Sequence, residues 1–162
     1  MNERFHEIAL DVNGEKVSER VDARTTLVDF LRERLALTGS HVGCEHGVCG
    51  ACSVRVNGAV VRGCLMLAVQ CEGMQVTTIE GLAGTNEIAD LQRAFIERNA
   101  LQCGYCTPGM LLTAQELLST GGVPSREAIR DYLSGNYCRC TGYQAIVDAV
   151  EAVAQARAGA RT

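Results

Sequence analysis

Eight of the nine cysteines in this 162-residue sequence form two sets of four, and each set has the spacing of an iron–sulfur cluster site. The first set comprises Cys44, Cys49, Cys52 and Cys64, and the second comprises Cys103, Cys106, Cys138 and Cys140. Four thiolates can hold a small iron–sulfur core, which takes up and releases single electrons. The cysteines therefore predict two redox centres, with electron transfer as the leading function.

The first set has the spacing of plant-type [2Fe-2S] sites, with four residues between the first two cysteines and two between the next. Gly43, Gly47 and Gly50 flank these cysteines. Glycine lets backbone N–H groups approach the sulfur atoms of a cluster closely. We therefore expect a loop that wraps over one cluster.

Two other kinds of metal site use similar residues. A structural zinc site usually has cysteine pairs with short gaps, and the interval from Cys44 to Cys49 is too long for that habit. A Rieske centre would use a Cys-x-His pair such as Cys44 and His46, but its second pair should lie well downstream, whereas Cys49 follows almost at once. His46 is therefore expected to be a solvated loop residue, and no role is predicted for His6 or His41.

In the second set, each cysteine pair is followed by residues typical of a helix start. Thr107 and Pro108 follow Cys106, and Thr141 follows Cys140. Threonine is a favoured N-cap and proline suits the first helical position. We therefore expect two helix N-termini to point towards the second cluster, where their positive ends would favour its reduced form, with Arg139 as a nearby cation.

Composition and charge exclude several classes of function. The net charge is −4 without a basic stripe, which makes nucleic acid and anionic membranes poor partners. The sequence has no phosphate-binding glycine motif and no nucleophile elbow. Charges break its apolar stretches well short of the roughly 20 residues of a membrane span, and its start lacks the apolar core of a secretory signal. We therefore expect a cytoplasmic protein with free thiols, and no catalytic residue on this chain.

Hydrophobic periodicity divides the sequence near residue 80. The pattern predicts a hairpin over residues 5–22 and a helix that is capped by Thr26 and ends near Gly39. It also predicts further strands of a mainly antiparallel sheet over residues 53–57, 60–61 and 74–79. Residues 81–86 predict a linker, and helices are predicted over 88–99, 108–119, 126–133 and 144–156. The expected fold class is α+β, with an N-terminal β-grasp, ferredoxin-like domain (residues 1–80) followed by a C-terminal helical-bundle domain (residues 81–162).

Three motifs, over residues 43–52, 102–109 and 136–143, resemble the iron–sulfur subunit of the molybdenum hydroxylases, the xanthine oxidase family. The resemblance covers nearly the whole chain. It implies one [2Fe-2S] cluster in each domain, a large partner subunit with a molybdenum–pterin cofactor, and a medium subunit with FAD, or another electron acceptor. It also implies that Gln102 and Cys140 approach the pterin. Bond-making would then take place on the large subunit.

Two other functions fit parts of the pattern. A free-standing electron carrier would dock transiently with several partners, but such carriers often have a strongly acidic face, and here acids and bases are mixed. A zinc-stabilised interaction module would have no redox role. The ninth cysteine, Cys71, lies among apolar residues without a partner at ligand spacing, so we expect it to be buried.

Overall fold

A computed structural model describes residues 4–160, in which a five-stranded sheet is followed by a group of helices. The strands are β1 (Phe5–Val12), β2 (Glu15–Asp22), β3 (Ser53–Val56), β4 (Ala59–Arg62) and β5 (Gln75–Thr77). Their spatial order is β2-β1-β5-β3-β4. The prediction of a mainly antiparallel sheet is confirmed, because three of the four strand pairs among residues 4–160 are antiparallel and the fourth, β1 with β5, is parallel.

The helix that crosses the sheet is shorter than the sequence predicts. Thr26 caps it as expected, since its hydroxyl accepts a hydrogen bond from Asp29 N at 3.2 Å. A single turn, α1 (Leu27–Asp29), continues as a π-helical segment, Phe30–Arg34, and ends there instead of near Gly39. The chain leaves the helix because Ala36 is left-handed, with φ of 56°.

Five more helices follow the sheet: α2 (Ile79–Gly84), α3 (Ala89–Glu97), α4 (Thr107–Ser119), α5 (Arg126–Leu133) and α6 (Gln144–Gly159). The prediction of a linker over 81–86 is wrong, because α2 occupies most of that segment. Ile79 and Leu82 are buried in the hydrophobic core of the helices, and this packing holds the segment helical. Among residues 4–160, no helix is long and apolar enough to cross a membrane.

Helix α4 joins the helical part of the chain to the sheet, because it packs against β3 and β4 as well as against α5. Strand β4 lies at an edge of the sheet, and its Val60 N–H donates to Glu116 Oε1 of α4 at 2.6 Å. Tyr132 of α5 donates to the other oxygen of Glu116 at 2.8 Å. The carboxylate therefore satisfies an edge-strand amide and ties both cysteine-bearing parts of the chain together.

Candidate iron–sulfur sites

The loop that carries the first three cysteines folds its backbone amides around the Cys44 sulfur. Cys49 N donates to Cys44 Sγ at 3.4 Å. Hydrogen bonds from the backbone amides of His46 and Cys49 lower the pKa of the Cys44 thiol to about 6. The turn requires a left-handed Gly47 (φ 83°), where a Cβ would lie only 2.3 Å from the side chain of Leu65. The expected wrapping loop is therefore present and favours a thiolate at Cys44.

The other two cysteines of the first set lie deeper. Cys52 and Cys64 are 2% and 9% exposed, pack with Val28 and Val42, and are joined by a 3.4 Å hydrogen bond from Cys64 N to Cys52 Sγ. Burial raises the pKa of the Cys52 thiol to about 11. A thiolate at this position therefore needs a compensating positive charge, which a bound metal supplies, so that metal binding would release a proton.

In the second set, Cys106 stands at the start of α4. The helix begins at Thr107, so Cys106 rather than Thr107 is the N-cap residue, and Pro108 takes the second helical position instead of the first. Burial raises the pKa of the Cys106 thiol to about 12. The Cys106 side chain contacts that of Cys138.

Thr141 supports Cys138 directly instead of capping α6. Its hydroxyl and backbone amide donate to Cys138 Sγ at 3.1 and 3.4 Å. Burial opposes ionisation of Cys138, but hydrogen bonds from Thr141, from the Cys140 amide and from Cys106 together outweigh it and hold the pKa of this thiol below its ordinary value. Helix α6 begins later, at Gln144, with a left-handed Tyr143 (φ 69°) at the cap position, so the prediction of Thr141 as its N-cap is wrong.

The eight thiols are grouped in pairs. Side-chain contacts pair Cys44 with Cys49, Cys52 with Cys64, Cys103 with Cys140 at 3.6 Å between sulfurs, and Cys106 with Cys138. Within residues 4–160, no three or more cysteine, histidine or acidic side chains converge on a point that could hold one metal ion. A zinc site needs four ligands at one point, whereas a two-iron cluster takes two thiolates on each iron. The pairing therefore fits two [2Fe-2S] clusters, and the individual ligands stay a prediction.

The two residues expected to face a partner's cofactor lie together at the surface. Gln102 and Cys140 are both exposed, and Gln102 Nε2 donates to the backbone oxygen of Cys140 at 3.0 Å. By contrast, Cys71 is fully buried, as expected, with its thiol 3.7 Å from the backbone oxygen of Leu67. Burial raises the pKa of Cys71 to about 11. None of the nine cysteines, all of which lie within residues 4–160, forms a disulfide.

Sequence reasoning missed a contact between the two cysteine loops that involves His41. The His41 ring stacks on Tyr105, with ring centroids 4.4 Å apart and planes at 19°, and its Nδ1 lies 2.7 Å from the backbone oxygen of Tyr105. Tyr105 in turn donates its hydroxyl to the backbone oxygen of Val42 at 2.8 Å. No local pattern could reveal this contact, because the partners are 64 residues apart. His46 is exposed, as expected, and its ring bonds only to the nearby backbone oxygen of Cys44.

Comparison with known proteins agrees with this geometry. Residues 10–80 match the family model of the 2Fe-2S iron-sulfur cluster binding domain, and residues 78–151 match that of the [2Fe-2S] binding domain. The chain is 52% identical over 151 residues to caffeine dehydrogenase subunit gamma of Pseudomonas sp. (strain CBB1), which covers 91% of this chain and 90% of that protein.

Two solved structures are similar along nearly the whole chain. Quinoline 2-oxidoreductase from Pseudomonas putida 86 superposes with a TM-score of 0.90 at 46% identity, covering 98% of both chains. Aldehyde oxidoreductase from Desulfovibrio gigas superposes with a TM-score of 0.87 at 44% identity, covering 96% of this chain but 17% of that one. In the second case the matching region is one part of a much longer polypeptide.

Proposed function

Because the chain belongs to the family of [2Fe-2S] small subunits of the molybdenum hydroxylases, we propose that it is the electron-relay subunit of such an oxidoreductase. Electrons would arrive from a molybdenum–pterin centre on a large subunit and leave to FAD on a medium subunit, or to another acceptor. The observation that carries the proposal is the grouping of eight thiols into two sets of two pairs. The substrate chemistry would take place on the large subunit.

We assign each set of cysteines to one cluster, within domains of residues 1–80 and 81–162. The ligands of the first cluster would be Cys44, Cys49, Cys52 and Cys64, and those of the second Cys103, Cys106, Cys138 and Cys140. When bound, each cluster accepts and releases one electron at a time. The chain supplies backbone amides to the Cys44 sulfur and buries Cys52 away from solvent, and both would tune the reduction potential of the first cluster.

The two sites differ in solvent exposure, and this difference indicates which site faces the large subunit. Cys103 and Cys140 are exposed together with Gln102, whereas Cys52 and Cys64 are buried. An open cluster site would be vulnerable to water unless a partner covers it. We therefore place the large subunit, with its molybdenum–pterin cofactor, over Gln102 and Cys140.

A permanent complex in the cytoplasm is favoured over a free-standing carrier. In the Desulfovibrio gigas enzyme, the region similar to this chain is covalently part of a larger oxidoreductase. The chain also has a mixed surface charge with a net value of −4, instead of one strongly acidic docking face. No feature of the charge distribution favours nucleic acid.

The test is co-expression of the tagged chain with the open reading frames adjacent to its own, followed by anaerobic purification. We expect roughly stoichiometric co-purification of both subunits, about four irons per chain, and bleaching of the brown-red colour by dithionite. A chain that purifies alone at low salt, although it contains iron, would support the free carrier. A colourless chain loaded with zinc would refute both redox hypotheses.

A variant assigns the second site. Cys140→Ala in the complex is expected to abolish the paramagnetic signal of the second centre and to leave that of the first, because the two sets have separate ligands. Cys71→Ala is the matched control, since Cys71 is a buried cysteine outside both sets. Selective loss of the first centre in Cys140→Ala would contradict the assignment.

A further inference from the structure

We propose that Asn136 is a positioning residue that fixes the first cysteine loop against the second, together with Arg62, which bridges the same two segments. This inference rests on the proposed function, in that both cysteine sets hold clusters. It concerns the relative placement of the two sites, which neither set of cysteines determines by itself.

Asn136 is buried between the two parts of the chain, with 2% of its surface exposed. Its Oδ1 accepts hydrogen bonds from Thr113 Oγ1 at 3.1 Å and from Arg62 Nη2 at 3.4 Å. Its Nδ2 donates to the backbone oxygen of Gly50 at 3.4 Å. One amide side chain therefore contacts helix α4, strand β4 and the first cysteine loop at once.

Arg62 extends the same contact from the sheet. Its Nη2 donates to the backbone oxygen of Gly135 at 2.8 Å, and its Nη1 donates to Ser53 Oγ at 2.5 Å. Ser53 Oγ in turn donates to the backbone oxygen of Gly50 at 2.7 Å. The guanidinium thus holds the segment before Cys138 and, through Ser53, the segment after Cys49.

These contacts stand next to predicted ligands in both sets. Gly50 directly follows Cys49, and Asn136 lies two residues before Cys138. Between them, Tyr137 N donates to the backbone oxygen of Cys49 at 2.8 Å. The loops are therefore joined by a backbone hydrogen bond between the neighbourhoods of two ligands, and the Asn136 side chain lies beside that bond.

The role is one of positioning, because Asn136 and Arg62 act through the backbone of Gly50, Gly135 and Tyr137. Loss of the amide would take from the Thr113 hydroxyl its acceptor, and it would remove one hydrogen bond each from Arg62 and from the Gly50 oxygen, which keep their bonds to Ser53. The loops would then shift to recover hydrogen bonds, and the separation of the two centres would change. Magnetic coupling between two reduced centres depends steeply on their separation, so it reports this shift directly.

The test uses the complete complex reduced with dithionite and its low-temperature paramagnetic resonance spectrum. Asn136→Asp keeps the size and the acceptor oxygen but turns the donor to Gly50 into a second acceptor. Arg62→Lys keeps the charge but loses the two-pronged donor. Both variants are expected to lose the parental splitting pattern and to shift the reduction potentials of both centres, with about four irons per chain retained. Ser119→Ala, which removes an exposed hydroxyl at the far end of α4, is the control and should match the parent.

Variants that keep their iron and show the parental splitting and both parental potentials would overturn the inference. A change confined to one centre would overturn it as well, because it would reveal a local effect. If Asn136→Asp fails to retain iron, Thr113→Val decides by the same criteria, since it removes a single donor to Asn136. A parent complex without two reducible centres would refute the proposed function itself, whereas an unaltered variant spectrum would refute the positioning role alone.

Discussion

Gly109→Ala tests how closely helix α4 must approach the first cysteine loop. Gly109 is a buried residue in the first turn of α4. A Cβ at this position would lie 2.3 Å from the backbone oxygen of Gly50 and 3.0 Å from Asn136 Nδ2. Because the nearest atom belongs to the backbone, no side chain can rotate away, and α4 or the loop must move by about 1 Å to restore ordinary contact.

Two effects of this substitution oppose each other. Alanine is the better helix former, by about 1 kcal/mol in a helix interior. Overpacking against a rigid partner costs typically about 1–3 kcal/mol, and here it also disturbs the hydrogen bonds of Asn136. We expect the clash, with the weakened hydrogen bonds of Asn136, to prevail by a net of about 1–2 kcal/mol. The thermal midpoint should then fall by roughly 2–8 °C, since 1 kcal/mol corresponds to about 2–4 °C in a chain of this length.

The assay is the loss of visible absorbance on heating, measured for the complex under anaerobic conditions at a fixed scan rate. Gly84→Ala is the matched control, because Gly84 is also helical but a Cβ there would meet no atom within 4 Å. Its midpoint should stay unchanged or rise by up to about 2–4 °C. A Gly109→Ala variant as stable as the parent, with both centres unaltered, would refute the close contact between α4 and the loop.

Three further substitutions test separate parts of the fold. Ser125→Ala should lower the midpoint by about 2–4 °C, because the Ser125 hydroxyl caps α5 by accepting from Ala128 N at 3.1 Å, and an unchanged midpoint would argue against this cap. Arg157→Met should lower it by a similar amount or less at pH 7, since Arg157 pairs with Asp90 at 2.7 Å. Arg157 holds the pKa of Asp90 below its ordinary value. The difference in thermal midpoint between variant and parent should therefore persist above about pH 4 and shrink as the pH falls through the lowered pKa of Asp90. A difference in midpoint that does not depend on pH would contradict the pairing. Cys71→Ser should retain about four irons per chain, and loss of iron would show that Cys71 is a ligand.

Features fixed by neighbouring residues could be predicted from the sequence. The hairpin of β1 and β2 follows from alternating apolar residues and from Asn13 and Gly14, which both adopt the left-handed conformation that the turn requires. The cap at Ser125 is local in the same way. The helix over 79–84 was missed because Ile79 and Leu82 become apolar anchors only when the helical core forms around them.

The candidate sites show the same division. Spacing alone separated the eight cysteines into two sets, because short gaps restrict what one loop can surround. The partners within the second set could not be predicted from spacing, since Cys103 and Cys140 are 37 residues apart in the sequence. The contact of Asn136 with Gly50 spans 86 positions and depends on how α4 docks on the sheet. Long-range packing of this kind leaves no periodic signal in the sequence.

The central claim is tested most directly by measuring iron and acid-labile sulfide per chain in anaerobically purified protein. The same sample shows whether its visible spectrum responds to dithionite. The arrangement of eight thiols in four pairs predicts about four irons and an equal amount of sulfide, with absorption that bleaches on reduction. Stoichiometric zinc without sulfide, or a visible spectrum that does not respond to dithionite, would contradict it.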